Sequence, residues 1–231
     1  MKHSGWLRFL VGMGFVAVAV GCGGQDSTSF ALMSELPAPD GPGAEPTGST
    51  AAPGAASTSD ADALVQSEHV KTLRQADGSF ASEVNATSMQ SWVYFSLQAH
   101  AEVTPDQPEQ SDSWDLAFQR SNVKLNGGTS GAGGVTVSSA SGSFESVQGA
   151  PAEGYVADAA DADLDGSPDY AFGAGDGWYS YDPASHALTA RDTVFVVKTA
   201  RGYFKLQFSS YYDAAGTPGM PQFRWAPLGG S

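Results

Sequence analysis

Cysteine is almost absent from this chain: Cys22 is the only one in 231 residues, so no internal disulfide can form and no thiolate cage can hold a metal. Basic residues are scarce as well, 11 Lys and Arg against 25 Asp and Glu, for a formal charge of −14. A surface of that sign repels nucleic acid and disfavours phosphate-rich partners. Histidine occupies only four positions. There is no His-Glu-x-x-His, no Cys-x-x-Cys and no Gly-x-Ser-x-Gly, and the glycine-rich segment 127–134 is not followed by Lys-Ser/Thr. Nothing therefore selects a catalytic constellation, and the chain reads as a binding protein and not an enzyme.

Long apolar runs are missing except for one, Phe9 to Val20, which follows the positive residues Lys2 and Arg8. Residues 1–21 have the form of a secretory signal, and the run is too short to span a bilayer stably. Ala19-Val20-Gly21-Cys22 resembles the lipobox of bacterial lipoproteins, in which the cysteine becomes the first mature residue and carries acyl chains. An ordinary cleaved signal with an incidental cysteine is the alternative. Gly23 after the cysteine favours sorting to the outer membrane by the same resemblance, where several acyl chains hold far more firmly than one. Removal of residues 1–21 leaves 9 bases against 25 acids, a formal charge of −16.

From Cys22 to residue 63 the chain is Gly, Pro, Ser, Thr, Ala and Asp with few large apolar side chains. Such a segment cannot bury enough surface to offset its ordering entropy, and it is expected to be a disordered tether. Residues 64–231 are then one domain of ordinary size. Its apolar signal is short and alternating, with no run of ten or more residues at helical period. Predicted strands are 92–97, 114–118, 122–125, 135–138, 178–181, 194–198, 203–209 and 222–225. In Tyr203 to Phe208 the residues Phe204, Leu206 and Phe208 share one face while Lys205 and Gln207 share the other. The turn at Thr199-Ala-Arg-Gly202 pairs this strand with 194–198. The fold class is all-β, a mostly antiparallel sheet domain.

Ser113 to Gly134 carries the most specific wording: Trp-Asp-Leu-Ala-Phe at 114–118, a second short strand, then Asn126-Gly-Gly-Thr-Ser-Gly-Ala-Gly-Gly134. Together with Trp92-Val-Tyr-Phe-Ser-Leu97, Gly177-Trp178, Val194-Phe-Val-Val-Lys198, Tyr203 to Phe208 and Tyr211, in that order, it resembles the HmuY-like family of bacterial surface lipoproteins, whose best-known members bind haem. The resemblance covers most of residues 84–213. It implies capture of haem or a related tetrapyrrole, from solution or from a haem-carrying protein, for transfer to an uptake system such as a TonB-dependent receptor.

The family's best-known members hold iron with two histidines, one in the loop ahead of the Gly-Trp strand and one shortly after it. Here the first loop has no histidine, and the second place falls on Asp182, with His186 four residues on. His186 is the first axial candidate, and Met220, placed in a turn between Gly219 and Pro221, is the second. His69 and His100 are expected to be exposed and without a role, and Met89 to anchor the first strand. Trp178, Tyr179, Tyr181, Tyr211 and Tyr212 are either porphyrin-stacking or core residues.

One motif points elsewhere. Asp161, Asp163, Asp165 and Asp169 recur at loop positions 1, 3, 5 and 9, with Gly166 at 6 and the Ser167 carbonyl at 7. That spacing turns hard oxygens inward for calcium. Phe172 stands where an EF-hand has its bidentate glutamate. A calcium-stabilised interaction module is therefore the alternative to haem binding, and a solvated acidic turn is the alternative to calcium.

Overall fold

Thirteen short strands account for the regular structure in a computed structural model that describes residues 64–162, 164, 166, 168–173 and 177–229. The proposed signal peptide, Cys22 and the proposed tether lie outside the described residues. The strands are β1 (Leu64–Gln66), β2 (Val70–Arg74), β3 (Phe80–Val84), β4 (Val93–Ser96), β5 (Ala101–Val103), β6 (Leu116–Gln119), β7 (Asn122–Leu125), β8 (Thr136–Ala140), β9 (Tyr179–Asp182), β10 (Ala187–Ala190), β11 (Val194–Thr199), β12 (Gly202–Tyr212) and β13 (Pro218–Leu228). A three-residue 3-10 turn at Pro108–Gln110 is the one helical element among the described residues.

All pairings are antiparallel. Seven strands form a large sheet in the order β1-β2-β3-β13-β12-β11-β8, four form a small sheet in the order β5-β4-β6-β7, and β9 and β10 make a separate hairpin. The fold is all-β, as the alternating pattern predicts. Every one of the eight predicted strands is present. β12 and β13 are longer than expected because they continue through register shifts around Ser210.

The two sheets meet through aromatic side chains. Phe118 of β6 stacks on Phe223 of β13 with ring centres 5.4 Å apart, and Phe95 of β4 meets the same ring edge-on at 5.7 Å. Trp225, Leu206, Leu116 and Leu125 complete a fully buried centre. Phe204, Leu206 and Phe208 do face inward together. The opposite face of β12 differs from the open surface that its Lys and Gln suggest. Segment 141–150 folds over it, and Lys205 lies buried beneath, donating from Nζ to the carbonyls of Phe144 (2.7 Å) and Val147 (3.0 Å). Desolvation under that cover lowers the lysine's pKa.

β2 and β3 escape the sequence pattern for a physical reason. Their inward positions Thr72 and Ser82 are polar yet buried, satisfied by a 2.9 Å bond between the two hydroxyls, and Ser82 Oγ also accepts from the Trp225 indole N–H. At the other edge of the sheet, β8 is met at Val137 by Val156, the two residues exchanging N–H to carbonyl bonds of 2.8 Å.

The connection from the small sheet to β8 is the glycine-rich segment 127–134, and it is organised around Asn126, which is fully buried. Asn126 Nδ2 donates to the carbonyls of Ser111 and Trp114, both at 2.8 Å, and its Oδ1 accepts from the Gly133 amide at 3.0 Å. A Cβ on Gly131 would lie 2.1 Å from Asn126 Oδ1, so only a residue without one lets the loop close on the amide.

Asn126→Ala removes three side-chain hydrogen bonds worth about 1 kcal/mol each. The expected loss is about 3 kcal/mol, lowering the thermal midpoint by roughly 10 °C for a domain of this size. Gly131→Ala should fall by a similar amount, and calorimetry of both variants checks the pair.

An ion cluster on the outer face gives a pH dependence. Asp77 accepts from the hydroxyl and amide of Ser79, and with Arg224 also nearby its pKa is lowered from 3.8 to about 2. Its contribution to stability is therefore present above pH 3.8 and is lost as pH falls toward 2. The expected outcome is that wild type and Asp77→Asn differ in unfolding midpoint at pH 5 and converge near pH 2.

Candidate functional site

The Trp-Asp-Leu-Ala-Phe segment builds the scaffold. Leu116 and Phe118 fill the core, and the Trp114 indole donates to the Pro108 carbonyl at 2.8 Å. Asp115 is buried and accepts from the Leu97 amide at 2.8 Å and from Ser96 Oγ at 3.4 Å. Burial raises its pKa against those bonds. Asp158, which the sequence pattern does not single out, plays the same part further on. It is buried, accepts from the amides of Leu125 and Ala171 at 2.9 Å each, and its pKa is raised by desolvation.

The β9–β10 hairpin carries the first axial candidate, His186, at its turn. Its base is fixed by Trp178, which is buried, bonds from Nε1 to the Ser121 carbonyl at 3.0 Å and packs 4.5 Å from the Phe208 ring. The Leu188 amide donates to Tyr212 Oη at 3.0 Å, tying β10 to β12. The tip is set by Asp182: its carboxylate accepts from the Ala184 amide at 2.9 Å and from Ser185 Oγ at 2.6 Å. Those bonds, that of Ser185 foremost, hold its pKa below the usual carboxylate value. Asp182 thus closes the turn at the place where the resemblance puts a histidine.

The turn delivers His186 in the left-handed region, at φ 56°. There its Nδ1 lies 2.5 Å from Tyr181 Oη, both side chains exposed. When the ring proton is on Nδ1 and is donated to the phenol oxygen, Nε2 keeps its lone pair and faces outward from the bond. The pairing of Tyr181 with His186 is not visible in the sequence spacing. It follows from the register Asp182↔Ala187, and β10 itself escapes detection because Ala187 and Ala190 give no alternating apolar signal.

The other predicted site residues are placed as follows. Met220 is half-buried within β13 and not in a turn, in the stretch where pairing with β12 shifts between Tyr212↔Pro218 and Ser210↔Gln222. The sequence could not show this because Pro218 and Pro221 read as turn residues, whereas here the strand tolerates both. Trp178 and Tyr211 are core residues, Tyr179 and Tyr212 are half-buried, and Tyr181 is exposed. Met89 is exposed and anchors nothing. His69 is not idle: its amide and Nδ1 each lie 2.8 Å from the Glu102 carboxylate, joining the β1–β2 turn to β5. His100 is half-buried against Phe80 and Trp225.

Of the acidic loop, Asp163, Asp165 and Ser167 lie outside the described residues. Asp161 Oδ2 accepts from the Gly166 amide at 2.9 Å, and Asp169 Oδ2 from the Ala162 amide at 3.2 Å. Among the described residues no group of three or more His, Cys, Asp or Glu is placed to hold a metal.

An all-β pair of sheets with a side hairpin, its motif residues spent on the scaffold, defines an architecture more than a chemistry. The chain belongs to the HmuY family: the profile described as HmuY protein matches residues 88–225. Among solved structures, the apo HmuY analogue of Tannerella forsythia is similar at 16% identity and a TM-score of 0.51, over 64% of this chain and 94% of that one. A Bacteroides fragilis protein provisionally classed as a lipoprotein is similar at 21% identity and a TM-score of 0.48, over 68% and 96%. A Bacteroides vulgatus protein provisionally classed as HmuY-like and haem-binding is similar at 18% identity and a TM-score of 0.45, over 73% and 98%. A search of the curated proteins finds no match.

If the Tyr181 bond orients the imidazole, Tyr181→Phe should free it. The expected outcome, followed by NMR, is that the ring-nitrogen chemical shifts of His186 report one favoured tautomer in wild type and an average of the two in Tyr181→Phe.

Proposed function

We propose that this protein binds haem or a related tetrapyrrole at the β9–β10 hairpin and captures it for transfer, without catalysis. Membership of the HmuY family supports that reading in general. The observation that carries it to particular residues is the exposed Tyr181–His186 pair on the hairpin. Haem iron takes imidazole, thioether or phenolate donors, and the hairpin offers the first and the last. His186 Nε2 is the first axial candidate. Met220, half-buried in β13, is the second, and the sulfur is a donor that a ferric or ferrous iron accepts. The tetrapyrrole would supply the iron and the apolar plane, and this chain would supply the axial donors and the aromatic side chains around them.

The setting proposed is a lipid-anchored protein of the outer membrane, on the cell surface. Residues 1–21 are removed as a signal peptide, Cys22 is acylated, 22–63 serve as the tether, and 64–231 form the binding domain. A haem-carrying protein is then the source and a TonB-dependent receptor the recipient, both by the family resemblance. Cys22→Ser should abolish incorporation of labelled fatty acid and shift the protein from the membrane to the soluble fraction. Retention of label would overturn the anchor.

Haemin titration tests the ligand. Wild type should move the Soret band to a sharp ligated position, and His186→Ala should weaken binding by about tenfold or more, the loss of one coordinating group. A free-haemin spectrum with wild type would remove the haem reading. The alternative, a calcium-stabilised module on the same scaffold, has the acidic spacing of 161–169 as its support. It requires a higher thermal midpoint in calcium than in chelator, whereas haem binding alone requires equal midpoints.

A further inference from the structure

At the β1–β3 end of the large sheet there is a cleft of about 350 Å³, lined by Val65, Thr72, Arg74, Phe80 and His100. Its volume falls in the range of small-molecule sites. The wall consists of three rings in contact. The His100 ring centre lies 4.2 Å from that of Phe80 and 5.2 Å from that of Trp225, and Phe80 and Trp225 stack at 4.5 Å with their planes 21° apart. Trp225 is fully buried and anchored by its bond to Ser82, so the wall is rigid from behind.

Two polar groups stand on this apolar surface, and neither is spent on the fold. His100 is held at φ 59°, an uncommon conformation for a residue with a side chain, in the turn between β4 and β5. Neither ring nitrogen makes a hydrogen bond to another described residue, although the ring is half-buried. Burial, aided by the Arg74 charge, lowers its pKa and favours the neutral imidazole, with one N–H to donate. Arg74, at the end of β2 opposite Phe80, makes no ion pair among the described residues, in a chain where acids outnumber bases by 25 to 11. The other surface arginine that faces a sheet, Arg224, bonds to both Asp77 and Glu145.

We propose that this cleft is a second ligand site, separate from the hairpin, for a small planar aromatic carboxylate. The ring of the ligand would lie against Phe80 and His100, where offset aromatic contact is favourable. The carboxylate would take the guanidinium fork of Arg74, whose paired N–H groups match its geometry, with the imidazole N–H beside it. A cation would meet Arg74 unfavourably, and a bare phosphate would leave the apolar wall uncovered. The molecule that satisfies all three features is flat, apolar and negatively charged at one edge. The site lies on β1, β2, β3 and the β4–β5 turn, whereas the hairpin leans on β12, so the two require different strands.

The test uses the purified full chain, 2-naphthoate as probe and its neutral amide, 2-naphthamide, as control. Resonances of the His100 ring and the Trp225 indole are followed by NMR. Saturable shifts of both with 2-naphthoate are expected, with affinity about tenfold weaker for 2-naphthamide and for 2-naphthoate with Arg74→Gln, since each removes the charged pair. Arg74 is exposed, so that variant should keep the wild-type thermal midpoint, and His100→Asn gives a second variant that retains a donor near the same place. The proposal is overturned by absence of saturable shifts at millimolar 2-naphthoate, or by equal affinity for acid and amide. Displacement of 2-naphthoate by haemin would overturn the separateness of the site.

Discussion

The buried amide of Asn126 is the constraint on which the two-sheet arrangement depends. It lies where the chain leaves the last strand of the small sheet for the edge strand of the large one. Its Nδ2 holds the carbonyls of Ser111 and Trp114 ahead of β6, and its Oδ1 holds the Gly133 amide ahead of β8. Its backbone bonds to Asp115 and Val135 bind the same two segments again. A buried polar group with all its partners satisfied fixes one geometry, because any other leaves donors stranded away from water. The glycines that follow are a consequence: the loop passes so near the amide that Gly131 and Gly133 have no room for a Cβ.

Asp115 and Asp158 extend the same logic. Each is a carboxylate whose burial raises its pKa and whose oxygens accept backbone amides from another segment. Together with Asn126 they link β4, β6, β7 and the 158–171 loop through short polar side chains. The most recognisable words of the sequence are therefore instructions for assembly. That is why they identify the family and say little about the ligand. The departure from the two-histidine pattern of the resemblance falls on the hairpin tip, where Asp182 spends its carboxylate on the turn and His186 stands four residues further along the chain.

Strands whose inward face is apolar were legible in the sequence: Phe204, Leu206 and Phe208 of β12, or Leu116 and Phe118 of β6, alternate as a half-buried strand must. β2 and β3 were not, because Thr72 and Ser82 bury a hydroxyl pair where the pattern demands a hydrocarbon. Lys205 misleads in the other direction, since an alternating charge implies solvent, and only the fold brings segment 141–150 over it to supply two carbonyls. At the site, His186 could be found from chain order, whereas its phenol partner could not. Tyr181 meets it only through the turn geometry that Asp182 sets. His100 was discounted as a loop residue because nothing local predicts the Phe80 and Trp225 rings that enclose it, residues 20 and 125 positions away.

The short bridge between Val137 and Val156 acts beyond its own two hydrogen bonds. Sheet margins expose rows of unpaired amides that recruit strands from neighbouring molecules. At one margin of the large sheet Val156 occupies β8 near its start. That margin offers no long uninterrupted template. A second molecule therefore finds little to zip onto there, and copies at high local concentration can remain separate.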